Sequence, residues 1–300
     1  MNSSPPALFD RRLLRQRRNR AAHSLHDYDY LLQRVIDDLL DRVESINRDF
    51  PRALVLGGGG AVGRALKDRP EVAAKIGALI ETDFAERLAR DVCVDEDALP
   101  FADEHFDLVL SPLALHWAND LPGALIQINR ALKSDGFFAC AVIGGGSLKE
   151  LRQSLMAAET ELYDGAAARV SPFADTVDMA GLLQRAGFAM PVTDVDRVTV
   201  RFGNAFVLMR DLRKMGETSV LADRPRTPRG RSFFVRMAEI YAERFADPDR
   251  KIRASFEIIH AGGWAPHPDQ PRPKRPGSAT VRLADVLSVP ERSAGEKAGG

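Results

Sequence analysis

Ala53-Leu54-Val55-Leu56-Gly57-Gly58-Gly59-Gly60-Ala61-Val62-Gly63 is the stretch on which the fold depends. Four apolar residues have the length of a buried strand, the glycines remove the Cβ atoms, and the following Arg64-Ala65-Leu66-Lys67 is compatible with a helix. A strand that enters a helix through a glycine turn lets backbone approach a ligand, which is how α/β folds hold nucleotide-like cofactors. The same turn also serves as a merely tight connection, so the flanking sequence decides between the two.

Downstream, short apolar runs alternate with amphipathic helical stretches, the pattern of a parallel sheet covered on both faces. Strands are predicted at 54–56, 76–80, 92–94, 106–110 and 137–143, then at 191–202 and 255–262. Helices are predicted at 147–162, 176–186, 207–214 and 233–245. Upstream, Leu31, Leu32, Val35, Ile36, Leu39, Leu40, Val43 and Ile46 recur at three- and four-residue intervals, so 9–48 reads as a helical extension. That extension either closes over the mouth of the next domain or, more simply, packs on its flank. The organisation expected is therefore an N-terminal helical extension (1–50), a cofactor-binding α/β core (51–145), and a C-terminal part carrying a helical insertion and the last strands (146–264). A Pro-rich segment with a disordered tail (265–300) follows, with a brief strand-like stretch at 279–283.

Composition bounds the function. With 45% apolar and 28% charged residues and a formal net charge of zero, the chain is an ordinary globular protein. Nothing global favours nucleic acid or a membrane. Arg11, Arg12, Arg15, Arg17, Arg18 and Arg20 nevertheless crowd one segment, either as a solvated helix face or as a patch for an acidic partner, a phosphate or peripheral contact with an anionic surface. Cys93 and Cys140 lack CxxC spacing, so neither a disulfide framework nor a zinc site is expected, and a reducing cytoplasm fits. No apolar run approaches the roughly 18 residues of a membrane helix. There is no signal-peptide core, and Asp10 and Asp27 come too early for a transit peptide, so the N-terminus reads as mature and cytoplasmic.

Ligands of open α/β sheets bind beyond the C-terminal ends of the strands. Glu81 and Asp83 end the second predicted strand, where a carboxylate accepts from both ribose hydroxyls. Asp95 follows the third, placed for an exocyclic amine, and Leu99, Pro100 and Phe101 are suited to border an adenine. Together they favour an adenosine cofactor. Gly58, Gly60 and Gly63 satisfy a G-x-G-x-x-G template, which keeps a nicotinamide dehydrogenase in play, although four consecutive glycines satisfy almost any template.

The segments Asp95-Glu96-Asp97-Ala98-Leu99-Pro100-Phe101, Phe106-Asp107-Leu108-Val109-Leu110-Ser111 and Leu132-Lys133-Ser134-Asp135-Gly136-Phe137 resemble, in order and spacing, motifs of the class I S-adenosylmethionine-dependent methyltransferases. That resemblance implies a doubly wound, mostly parallel seven-stranded α/β fold of Rossmann type. It implies S-adenosyl-L-methionine as cofactor, held by Gly57, Gly59, Gly60, Glu81, Asp83, Asp95, Asp97, Ala98, Leu99 and Ser111. Where that family's first motif has an acid and a final glycine, this chain has Val55 and Ala61. A narrower resemblance rests on Phe9-Asp10-Arg11, Gln16-Arg17 and Arg20-Ala21-Ala22, on 111–122 and 144–152, on Ser171-Pro172-Phe173, on 211–217, and on 275–281. Over about residues 9–285 the chain is similar to the methyltransferase-like assembly factors of respiratory NADH:ubiquinone oxidoreductase. The function this implies is hydroxylation or methylation of an arginine in an iron–sulfur subunit of NADH dehydrogenase. A sister family implies an alternative, carboxyl methylation of malonyl-acyl-carrier protein in biotin synthesis. Val55 and Ala61 suggest a third, a non-catalytic assembly chaperone on the same fold.

His116 and Trp117 follow the fourth predicted strand, where a transferred group meets its acceptor. An imidazole there suits proton relay, or loop packing, and the indole suits a pocket wall or the core. Asn119 and Asp120 are candidate helix caps. Methyl transfer needs chiefly in-line positioning, whereas hydroxylation needs an oxidant, commonly at an iron held by two His and a carboxylate. His23, His26 and Asp27 offer those types, but so closely spaced on one helix that a polar face is the plainer reading and no metal is expected. Glu150, Glu159, Glu161 and 171–173 are expected to border the acceptor pocket; carboxylates there suit an arginine, while Arg15, Arg18 or Arg229 would suit an acyl carrier.

Overall fold

In the computed structural model the polypeptide is described for residues 7–163, 165, 167–225, 227–271, 281, 285, 286 and 288–290. The first six residues, most of the strand-like stretch at 279–283, most of the 275–281 motif and most of the tail lie outside the described residues.

Two helices come first. α1 (Arg11–Ala21) is capped by Asp10, whose carboxylate accepts from the Leu13 amide, and it buries Leu14, Arg18 and Ala21 along one stripe. α2 (Tyr30–Ser45) buries Leu31, Leu32, Val35, Ile36, Leu39, Leu40 and Val43. The strands are β1 (Phe50–Leu56), β2 (Ile76–Asp83), β3 (Val92–Cys93), β4 (Phe106–Pro112), β5 (Leu132–Ile143), β6 (Ala189–Phe202) and β7 (Ile252–Trp264). The helical stretch after the glycines is broken by Pro70 into α3 (Ala61–Ala65), a 3-10 turn and α4 (Pro70–Lys75). Next come α5 (Leu121–Ala131), α6 (Lys149–Tyr163), α7 (Thr176–Arg185), α8 (Ala205–Met215) and α9 (Arg231–Phe245). Asn119 does not cap α5; Asp120 does, accepting from the Gly123 amide.

The seven strands form one sheet in the order β3-β2-β1-β4-β5-β7-β6. The first five in this order run parallel, while β7 is antiparallel to both β5 and β6. Alternate residues of each central strand enter different cores, as a sheet covered on both faces demands. Ala53, Val55, Leu108, Leu110, Ala139 and Ala141 pack with α2, α6, α8 and α9. Leu54, Leu56, Val109, Phe138, Cys140 and Val142 pack with α5 and α7.

The order reverses between β1 and β4, whose C-terminal ends, Leu56 and Pro112, therefore flank the crevice where ligands of such sheets bind. The glycine run starts at that point. Of the two placements open to the N-terminal extension, both occur: α2 packs on the sheet face, and α1 reaches the residues beyond the strand ends.

Candidate functional site

Gly57, Gly58, Gly59 and Gly60 all have positive φ, from +58° to +87°, a region that only glycine enters freely. Space forbids a side chain as well. A Cβ on Gly57 would lie 2.5 Å from the Ala114 Cβ, and one on Gly58 would lie 2.9 Å from the Pro112 Cγ. The Gly57 amide donates to the Thr82 carbonyl at 2.9 Å. Among the described residues the amides of Gly58, Gly59 and Gly60 donate to no protein oxygen, which leaves a row of backbone donors at the strand crossover. Gly63 serves differently: its amide donates to Glu81 Oε1 at 2.9 Å, and its missing side chain makes room for that buried carboxylate.

The acids beyond the strands are gathered by α1. Arg11 donates through Nη2 to Asp95 and Glu96, each at 2.6 Å, donates through Nη1 to the Trp117 carbonyl, and lies 3.8 Å over the Phe84 ring. Burial pushes the Glu96 carboxyl above the ordinary carboxylate range, against the pull of Arg11. Asp95 also accepts from the Asp97 amide, and Asp97 accepts from the amides of Asn119 and Asp120, so these acids shape their own loop as well. The Ala98 amide donates to the Asp95 carbonyl, the Leu99 amide to Gln127, and the buried Ser111 hydroxyl to the Leu56 carbonyl, tying β4 to β1. Asp83, 1% exposed, accepts from the Ala85 amide at 3.0 Å and from Arg18 Nη2 at 3.1 Å.

His116 and Trp117 form a 3-10 turn after β4 and are both buried. Glu217, just past α8, accepts from Trp117 Nε1 at 3.1 Å, lies 3.4 Å from His116 Nε2, and stands 3.5 Å from Arg18 Nη1. Burial alone would raise the Glu217 carboxyl, but His116, Arg18 and Trp117 together hold it below its ordinary range. The indole edge meets Phe9 at 5.1 Å and Phe173 at 5.7 Å.

A cavity of about 500 Å³ opens beside these groups. Gly58, Pro112, Trp117, Arg18, Ser171 and Glu217 contribute to its wall, together with apolar residues of α2, α6, α8 and α9 and further arginines of α1 and α8. Its lining carboxylates are Asp29 and Glu217, not the acids expected from sequence. Glu150 instead holds Ser255, Glu159 binds Arg169 and Arg229, and Glu161 pairs with Arg236. Ser171 and Phe173 do line it. Arg15 lies over Phe84 and Arg229 is held by Glu159; neither lines the cavity. His23 meets Arg87, and His26 faces Asp29; among the described residues no three His, Cys, Asp or Glu side chains form a group that could hold a metal ion.

The structure thus joins His116, Trp117 and Asp83 through Arg18 and Glu217, and places Asp95, Asp97, Ala98 and Leu99 beyond Arg11. Arg11 and Glu217 stand outside the site residues expected from sequence, whereas Arg18, expected either on a basic face or at the acceptor pocket as a cation for an acyl carrier, does line the cavity. Arg18 was legible as a charge sharing a helical stripe with Leu14 and Ala21. Glu217 lies in the 211–217 stretch that carries the narrower resemblance, but no local pattern gives its role, because His116 and Trp117 lie about a hundred residues upstream and Arg18 farther still.

Residues 58–140 match the model of a methyltransferase domain. The chain is 39% identical to the arginine-hydroxylase NDUFAF5, mitochondrial, of Rattus norvegicus over 96% of its own length and 87% of that protein's. It is 30% identical to a malonyl-[acyl-carrier protein] O-methyltransferase of Gallionella capsiferriformans, covering 92% of this chain and 97% of that one. The crystal structure of the YcgJ protein of Bacillus subtilis shares the fold, with a TM-score of 0.52 at 14% identity over 78% of this chain and 99% of that one.

Proposed function

Because the chain belongs to the class I S-adenosylmethionine-dependent methyltransferase family and uses that cofactor, we propose that it modifies an arginine side chain of a protein partner, an iron–sulfur subunit of respiratory NADH dehydrogenase. The observation that carries this reading is the position of Gly58. It belongs to the row of unengaged loop amides and also lines the cavity that Trp117 and Glu217 wall, so a group presented from the loop meets an acceptor entering by the cavity.

The residues present fit the cofactor. The Gly58–Gly60 amides and the Glu81 carboxylate would hold its polar groups, with Asp83, Asp95, Asp97, Ala98, Leu99 and Ser111 bordering it, and Gly57 shaping the turn. When bound, it supplies a methyl group already activated on a sulfonium, so the protein's main task is alignment. Glu217 fixes the orientation of His116 and Trp117 through one carboxylate oxygen. Held in its ionised form, Glu217 is also the group placed to attract a cationic acceptor and to take a proton from it. Trp117 and Phe173 close the cavity with apolar surface and exclude water from that end.

A second reading, carboxyl methylation of malonyl-acyl-carrier protein, is favoured by one observation. Arg17, Arg20 and Arg213 share the cavity wall, and burial, with repulsion from Arg224, Arg20 and Arg213, lowers the Arg17 pKa. Such crowding suits an anion. Peptide mapping of NADH dehydrogenase subunits from cells with and without the protein separates these outcomes. An arginine gaining about 14 or about 16 daltons, for one methyl or one oxygen, supports the first reading. Unmodified subunits together with biotin auxotrophy favour the second. Unmodified subunits without auxotrophy leave a chaperone role.

A further inference from the structure

Arg18 is an arginine side chain buried at the edge of the very cavity in which an arginine is to be received. Its guanidinium, 10% exposed, lies between two carboxylates from distant parts of the chain, with Nη2 3.1 Å from Asp83 and Nη1 3.5 Å from Glu217. Asp83 ends β2, and Glu217 follows α8. The two acids together present acceptors to both ends of a planar fork, the geometry that selects guanidinium over ammonium.

Anchoring α1 does not require this pair. Arg11 already fixes the helix with two 2.6 Å contacts, a carbonyl and an aromatic face, and Asp10 binds Arg224 at 3.2 Å. Arg18 is held by longer contacts, 3.1 and 3.5 Å against 2.6 Å for Arg11. Its buried Nε, like that of Arg11, has no hydrogen-bond partner among the described residues, and the buried Ser171 hydroxyl, which lines the cavity with Arg18, also has none. A buried donor left unpaired is costly, so the resting arrangement is an incomplete solution to the site's own polar demands.

We propose that Asp83 and Glu217 form a guanidinium-receiving subsite, that Arg18 fills it in the resting protein, and that an arginine of the partner displaces Arg18 to reach the Trp117 end of the cavity. This rests on the reading of the acceptor as an arginine. It adds a regulatory consequence: α1 behaves as a built-in competitor, and only a partner whose arginine beats an intramolecular one gains entry. The pair carries two negative charges for one cation, so exchange of one guanidinium for another leaves the charge of the site unchanged.

The test is calorimetric binding of Nα-acetyl-arginine amide to the full chain and to its R18M variant. R18M is expected to bind at least about tenfold more tightly than the wild type. The neutral isostere Nα-acetyl-citrulline amide gains nothing, and R18M/E217Q loses the gain. In the wild type, saturating arginine amide is expected to raise amide exchange in residues 18–22 as Arg18 leaves. Equal affinity of wild type and R18M, equal gain for citrulline, or unaltered exchange with ligand bound overturns the proposal. Should R18M fail to fold, R18K keeps the charge without the fork and is expected to show a smaller gain; no gain there overturns it equally. A gain in R18M with no mass change on any subunit removes the reaction and leaves the subsite. A mass change without the gain does the reverse.

Discussion

Gly57 shows how much a single position decides. Its φ of +87° and the 2.5 Å approach of the Ala114 Cβ mean that alanine there brings a strained backbone and a clash together. G57A is expected to lower stability by at least about 2 kcal/mol, read as a reduced Tm, and to weaken cofactor binding in calorimetry at a temperature where the variant is folded. An unchanged Tm would mean that the turn relaxes without cost. The glycine run was legible because its chemistry is local: a strand, a turn and a helix start within eleven residues. Glu217 was illegible for the opposite reason. The 211–217 stretch carries a family resemblance but no local sign of the role of Glu217, and only the fold brings it to His116, Trp117 and Arg18. The acids expected to border the acceptor pocket were legible as charges but not as partners, since Glu159 is consumed by Arg169 and Arg229.

At the scale of elements, α1 is the piece whose attachment governs the site. R11A leaves the buried Glu96 without its cation, a change of the kind that costs about 3–5 kcal/mol. Burial raises the Glu96 pKa in the folded state, so its contribution is greatest below the unfolded carboxylate value and is lost as pH rises through the folded one. Without Arg11 that loss deepens. R11A is therefore expected to be less destabilised near pH 4 than near pH 7, with early amide exchange in residues 10–21; urea midpoints at the two pH values check the sign. A deficit equal at both would show that Glu96 is not the group left uncompensated. α2, α6, α7 and α9 were well marked in sequence, because an apolar stripe is a short-range signal, as is the Asp120 cap of α5. That α1 would cover the strand ends while α2 took the flank was not, since both carry the same periodicity.

For the whole molecule, the sheet was the most legible level. Strands buried on both faces read as unbroken apolar runs, and β1, β4 and β5 follow that rule, although β5 begins at Leu132, five residues before the expected start. β6 alternates exposed and half-buried residues, as an edge strand should. Because the loop amides and the acids of several strands converge on one crevice, a ligand there braces the sheet and α1 together. S-adenosylhomocysteine at a hundred times its Kd is expected to raise stability by about 2.7 kcal/mol, visible as a Tm shift by calorimetry, and no shift at millimolar concentration would remove the enzymatic reading. The position of β7 has one more consequence, for the order in which the protein is made. β6 pairs with β7 alone, and β7 also completes β5, so a chain emerging from the ribosome carries the cofactor loop, the acids and α1 long before the sheet can close. The first half of the site is thus born early, and it waits for residues 252–264 to be translated before the sheet is complete and Phe256 takes its place in the cavity lining.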